Sequence, residues 1–191
     1  MDKPWYRKLF AGSPKLEVET TPVPVADRND AEVQFGLGMQ CASGEGVPQD
    51  YALAAEWYRK AAAQSHSLAQ FNLGVMYAAG QGVEQDDAQS MSWFQKAARQ
   101  GDAGAQFKLG RGHFCLSIRG LPQDAAESRI EAYKWYRLAT AQGYRSTDAY
   151  HVGLILKMTR ADVALGADRA THFVAEKAMA ARPLAASLKE S

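Results

Sequence analysis

Cysteine is scarce: Cys41 and Cys115 are the two in 191 residues. A pair so far apart makes no disulfide framework, and without a CxxC or a Cys/His cluster the chain offers no zinc site. An excess of charge of one sign is also missing, since 22 Lys and Arg stand against 21 Asp and Glu for a net +1. That balance exerts no general pull toward nucleic acid or an anionic membrane. No apolar run is long enough to span a bilayer, which excludes membrane insertion by a helix. The opening MDKPWYRKLFAGSPK has no continuous apolar stretch and so no secretory signal, and the cytoplasm is the expected compartment. Carboxylates, serines and histidines are present, but no base, acid and nucleophile stand in a recognisable constellation. Neither enzymatic activity nor a cofactor is expected.

What is present is a repeat. Gln34-Phe35-Gly36-Leu37-Gly38 returns 36 residues later as Gln70-Phe71-Asn72-Leu73-Gly74, and again as Gln106-Phe107-Lys108-Leu109-Gly110. Gly44-Glu45-Gly46-Val47-Pro48-Gln49-Asp50 is matched by Gly80-Gln81-Gly82-Val83-Glu84-Gln85-Asp86, and loosely by Arg119-Gly120-Leu121-Pro122-Gln123-Asp124. Trp57-Tyr58-Arg59-Lys60-Ala61-Ala62 returns as Trp93-Phe94-Gln95-Lys96-Ala97-Ala98 and as Trp135-Tyr136-Arg137-Leu138-Ala139-Thr140. A period of this length marks a stacked-repeat architecture.

One unit reads as a helical hairpin. Helix A runs from about Ala69 to Ala79 and is apolar on two sides, with Leu73 and Met76 on one and Phe71 and Val75 on the other, as for a helix packed between neighbours or lining a groove. Gly74 lets its partner helix approach closely, at a helix-propensity cost of about 1 kcal/mol. Gly80 and Gly82 break the helix, and Asp86 is the expected N-cap of helix B. Helix B buries Ser90, Trp93, Phe94 and Ala97 at i, i+3, i+4, i+7 spacing and ends at Gly101. Asp124 and Glu127 have a loose capping-box spacing in the third unit. A lone hairpin cannot bury both faces; stacked copies can.

The pattern A-Q-F-x-L-G, then G-x-G-V-x-x-D, then A-x-x-W-Y-x-K-A-A resembles the Sel-one-like repeat, a relative of the tetratricopeptide repeats. The resemblance covers about residues 31–144. It implies an all-α, right-handed superhelical solenoid of antiparallel helix pairs and adaptor or scaffold work, often in bacteria. The chain departs from the pattern in places. It lacks the paired cysteines of the family's disulfide-bearing branch, which argues against an extracellular, stapled version. Ser65 stands where Gly101 would, and Cys41 and His113 where Tyr77 would. The third unit carries extra loop residues around Ser117 and Ile118 and about one extra helical turn before Trp135.

The expected organisation is an extended arm over 1–28, a solenoid over 29–182 and a tail over 183–191. Repeats fall at about 33–68, 69–104 and 105–146, and a degenerate fourth hairpin over 147–182 acts as a cap. Its last helix is placed at about 166–182, with Ala170, Phe173 and Val174 on the buried stripe and Lys177 facing outward.

Candidate sites follow from the family, in which helix A lines the concave surface. By that analogy the surface shows Phe35, Met39, Phe71, Val75, Phe107, Arg111 and Phe114. The aromatic ladder Phe35, Phe71, Phe107 could anchor a protein or peptide partner, and packing between repeats is the competing reading. Arg111 and Phe114 are the better specificity candidates, because Val75 and Ala78 occupy the matching places. At the N-terminus Trp5, Tyr6 and Phe10 form an aromatic, basic docking candidate, whose plainer reading is docking onto its own solenoid. The G-x-G loops are not phosphate loops, since a helix precedes them and the third glycine is absent. His113 and Cys115 point about 200° apart on a helix and cannot share a metal. His172, flanked by Asp168 and Glu176, reads as an ordinary solvated face. The leading function is therefore a protein-interaction module of open oligomeric state. An immunity-type binder of one toxic enzyme and, from family reports, a hydrolase are the alternatives.

Overall fold

The computed structural model describes residues 29–144 and 148–181, which form eight α-helices and no strand. The helices are α1 (Ala31–Ser43), α2 (Tyr51–Ala63), α3 (Ser67–Ala79), α4 (Asp87–Gln100), α5 (Ala103–Arg119), α6 (Ala125–Ala141), α7 (Asp148–Ile155) and α8 (Arg160–Ala180). A short 3₁₀ turn, Pro122–Asp124, precedes α6. The pairs α1–α2, α3–α4 and α5–α6 pack as hairpins, and α2 on α3 and α4 on α5 join one hairpin to the next. Both α7 and α8 pack on α6, closing an all-α solenoid.

The repeated polar residues start and stop these helices. Asp50 accepts from the Leu53 N–H at 3.0 Å and Asp86 from the Gln89 N–H at 2.9 Å, each satisfying a donor of the first turn. The G-x-G loop returns the chain through one recurring bond, the Asp50 N–H to the Cys41 carbonyl and the Asp86 N–H to the Tyr77 carbonyl. In the third unit this loop is lost. α5 runs on to Arg119, so Ser117 and Ile118 lie in a helix rather than a loop. Asp124 makes no side-chain cap, and Glu127 instead pairs with Arg169, so the capping box expected there does not form. The extra turn of α6 is present: it has 17 residues against 13 in α2 and 14 in α4.

The helix-A glycines set the closeness of each hairpin. A Cβ placed on Gly38 would lie 2.6 Å from the Tyr58 ring, on Gly74 2.6 Å from Phe94, and on Gly110 2.5 Å from Tyr136. The Ser90 hydroxyl donates to the Gly74 carbonyl at 2.7 Å and ties α4 down over the same glycine.

The tryptophans are not equally buried. Trp57 and Trp93 are half-exposed, and Lys60 and Lys96 cover their rings from 4.1 and 3.8 Å. Trp135 is only 4% exposed. The position three residues on is Leu138 rather than lysine, and Phe173 of α8 meets the indole edge-on at 5.4 Å. Among the described tryptophans only Trp135 therefore carries the roughly 3–5 kcal/mol expected of a fully buried ring. α8 starts at Arg160, earlier than the sequence suggests, on a reciprocal Thr159–Asp162 capping box. Lys177 does not simply face outward: its ammonium donates to the Gln100 carbonyl at the end of α4.

Candidate partner-binding surface

Each aromatic of the ladder packs against a helix-B ring. Phe35 lies 5.8 Å from Tyr58 and stacks on His66 at 4.5 Å. Phe71 lies 5.6 Å from Phe94, and Phe107 lies 5.8 Å from Tyr136 with Tyr144 and Tyr150 against its other sides. Phe107 is 7% exposed, while Phe35 and Phe71 are half-buried. The structure thus uses all three rings in packing. Phe114 is also half-buried, against a cluster that includes Tyr136 and Leu154, with the Lys157 ammonium 5.6 Å from its ring. Met39 is 49% exposed and Arg111 is exposed. Trp5, Tyr6 and Phe10 lie outside the described residues.

Val75 and Arg111 are brought together. Both line a cavity of about 280 Å³ between α3 and α5, with Ala78, Ala79, Phe94, Lys108, Gly112 and Cys115. One repeat earlier a cavity of about 170 Å³ is lined by Ala42, Tyr51, Tyr58, Asn72, Val75, Met76 and Gln81. In that earlier cavity Asn72 hydrogen-bonds the Tyr58 hydroxyl, whose titration burial raises and this bond partly restores. In the later one the matching residues are Phe94, with no hydroxyl, and Lys108. Burial, and then the neighbouring Arg111 cation, pushes the Lys108 ammonium below its ordinary value. Sequence reading missed Lys108, although comparing positions 72 and 108 at the repeat period would have found it.

A larger groove of about 720 Å³ opens between α4 and α8 over α5 and α6, lined by Met91, Arg99, His113, Glu131, Lys134, Trp135 and Phe173 among others. His113 stands there at the place of Tyr77. Burial holds its imidazole below the usual value, opposed by the nearby Glu131 charge. Burial pulls the Glu131 carboxyl up, but Lys134 at 3.2 Å and Arg169 at 2.8 Å hold it below the usual range. Within the groove Glu131 is thus neutralised by Lys134, and by Arg169 of α8 from beside it. His172 meets Glu176 at 3.1 Å on a face where both are largely exposed, an ordinary solvated pair.

The repeat unit itself is now defined by geometry. It starts at helix A, carries a buried glutamine and a close-approach glycine there, and ends at the last turn of helix B. A family model described as the Sel1 repeat matches residues 31–66, 67–102 and 103–144, with edges at the first residues of α1, α3 and α5. The chain belongs to the Sel1 repeat family. α7 and α8 lie beyond the three matched Sel1 repeats.

Solved Sel1-type structures share the fold. One is a protective antigen present in uropathogenic Escherichia coli strains, displaying an SLR fold. It is 41% identical with a TM-score of 0.54, over 62% of this chain and 24% of that one. Another is a Sel1 repeat protein from Oxalobacter formigenes, 32% identical with a TM-score of 0.58, over 68% of this chain and 51% of that one. This chain therefore spans about a quarter of the first Sel1 protein and half of the second. No curated protein sequence matches it. Among the described residues no helix is long and apolar enough to cross a membrane.

Proposed function

We propose that this Sel1 repeat chain is a non-enzymatic adaptor or scaffold that takes a protein or peptide partner on the concave surface of α1, α3 and α5. One observation carries the reading. Residues that recur at the repeat period on these helices are consumed by packing, whereas solvent-facing positions change from repeat to repeat. Gln34, Gln70 and Gln106 are buried, and Gly38, Gly74 and Gly110 lie under helix-B rings. Met39, Val75 and Arg111, at equivalent places on the three helices, differ in chemistry and lie at or near the surface. A scaffold that keeps its packing constant and varies one face is suited to recognition. A bacterial, cytoplasmic setting fits this reading. Both neighbours named above are from bacteria, and Cys115 is a free, exposed thiol of the kind kept reduced inside cells.

Affinity capture from native lysate tests the reading, with a Met39→Glu/Arg111→Glu variant as the comparison. Both positions are exposed, so the variant keeps its helicity. A partner held by the wild type and released by the folded variant is the expected result. A partner that ignores the two charges refutes the concave surface as the binding face.

A further inference from the structure

The charges of the α3–α5 cavity have no internal explanation. Lys108 and Arg111 sit one turn apart on α5 and both line it, and none of the ion pairs among the described residues includes either. The other residues of the lining, Val75, Ala78, Ala79, Phe94, Gly112 and Cys115, bring no carboxylate. Like charges at this spacing repel, and Lys108 is half-buried while Arg111 is exposed. Lys108 is pushed below its ordinary value by burial and then by Arg111.

The chain supplies its own control. Thirty-six residues earlier the matching positions are Asn72 and Val75, and the cavity there is neutral and internally hydrogen-bonded. The third repeat has replaced both by cations. Two further features lie close by. The Tyr136 hydroxyl is buried without a hydrogen-bond partner among the described residues, and Cys115 and Arg111 are among its electrostatic neighbours. Lys157 adds another cation over the Phe114 ring. Lys108 and Arg111 thus form a local pair of cations in a chain whose net charge is only +1.

Resting on the concave-surface reading above, we propose that this cavity is a carboxylate subsite for an acidic peptide segment of the partner. Lys108 and Arg111 hold the carboxylate, and Val75 and Phe94 receive the methylene groups beside it. Two cations in a pocket of about 280 Å³ suit one side chain. They do not form the basic stripe that a nucleic-acid backbone requires. The apolar wall favours a carbon-bearing anion over free phosphate.

The test uses the full chain and fluorescent peptides of alternating glutamate and leucine, with versions carrying glutamine or lysine in place of glutamate. Anisotropy gives affinity, and amide chemical shifts locate the bound peptide. The glutamate peptide should bind at least about tenfold tighter than the glutamine peptide, the value of one charge-assisted contact. The preference should disappear in Lys108→Gln/Arg111→Gln and fall with added salt. Should the double variant unfold, Arg111→Gln alone, at an exposed position, makes the same measurement. Equal binding of glutamate and glutamine peptides on α3 and α5 overturns the subsite but leaves the concave surface standing. No binding, or shifts confined to other helices, overturns the subsite and counts against the concave surface too. Displacement by inorganic phosphate or single-stranded DNA at lower concentration than the glutamate peptide overturns it in favour of a phosphate site.

Discussion

The Gln142 side-chain amide donates to the Gln106 side-chain oxygen at 2.8 Å, joining the end of α6 to the buried face of α5. The same bond recurs between Gln100 and Gln70 at 2.8 Å and between Gln64 and Gln34 at 2.9 Å. Gln70 and Gln106 then pass it on, donating to the Ala62 and Ala98 carbonyls at the end of the preceding hairpin. Gln70 and Gln106 thus each bind their own helix B to the one before. The bond adds a polar link to seams that also bury Leu73 and Leu109.

Replacing Gln70 by alanine should therefore cost more than one ordinary hydrogen bond. It leaves the Gln100 amide, on an exposed residue, and the buried Ala62 carbonyl without this partner, a loss of about 2 kcal/mol. Urea denaturation measures it. Gln89→Ala, at an exposed position on α4, serves as the control with a change under about 0.5 kcal/mol.

Two glycines on α1 should respond to alanine with opposite signs. Nothing lies within 4 Å of a Cβ on Gly36, whereas one on Gly38 would strike the Tyr58 ring at 2.6 Å. Gly36→Ala should raise stability by about 1 kcal/mol through helix propensity. Gly38→Ala should lower it by about 1–3 kcal/mol through overpacking. A shared sign in thermal denaturation would contradict this packing.

Ser65 is the only non-glycine residue with positive φ among the described residues, at 65°, where Gly101 and Gly143 close the later repeats at 100° and 80°. Ser65→Gly removes a left-handed penalty of about 1 kcal/mol, less a few tenths for the more flexible unfolded chain. A small rise in melting temperature is expected, and a fall would show that the serine side chain earns its place.

Stability should decline in mild acid through His113. Burial depresses its folded value, against the opposing charge of Glu131. The unfolded chain takes up a proton near the ordinary imidazole value of about 6.5, while the folded one resists until lower pH. The unfolded state binds more protons in that window, so stability is full above it and is lost as pH falls through it. Melting temperatures across pH 7 to 5 should fall less steeply for His113→Gln than for the wild type.

Much of the fold was legible in the residues. The 36-residue spacing of Gln-Phe-x-Leu-Gly, the G-x-G turns, the aspartate caps and the small–large–large–small stripe each express a local rule, and the helices follow them. The candidate surface was legible only in part. Spacing placed Phe35, Phe71 and Phe107 on helix A, but periodicity gives a direction and not a neighbour. The helix-B rings that cover these three come from a separate helix 23 to 29 residues on.

The sequence alone determined the repeat unit and, in the first two units, its helices and their ends, because caps, turns and amphipathic stripes act over a few residues. Tertiary structure decided what those helices meet. It set α8 against Trp135 but left Trp57 and Trp93 to their lysines, returned Lys177 to the end of α4, and placed Lys108 and Arg111 together in one cavity without an acid. Those outcomes depend on how separate helices pack, a sum of many contacts across the stack.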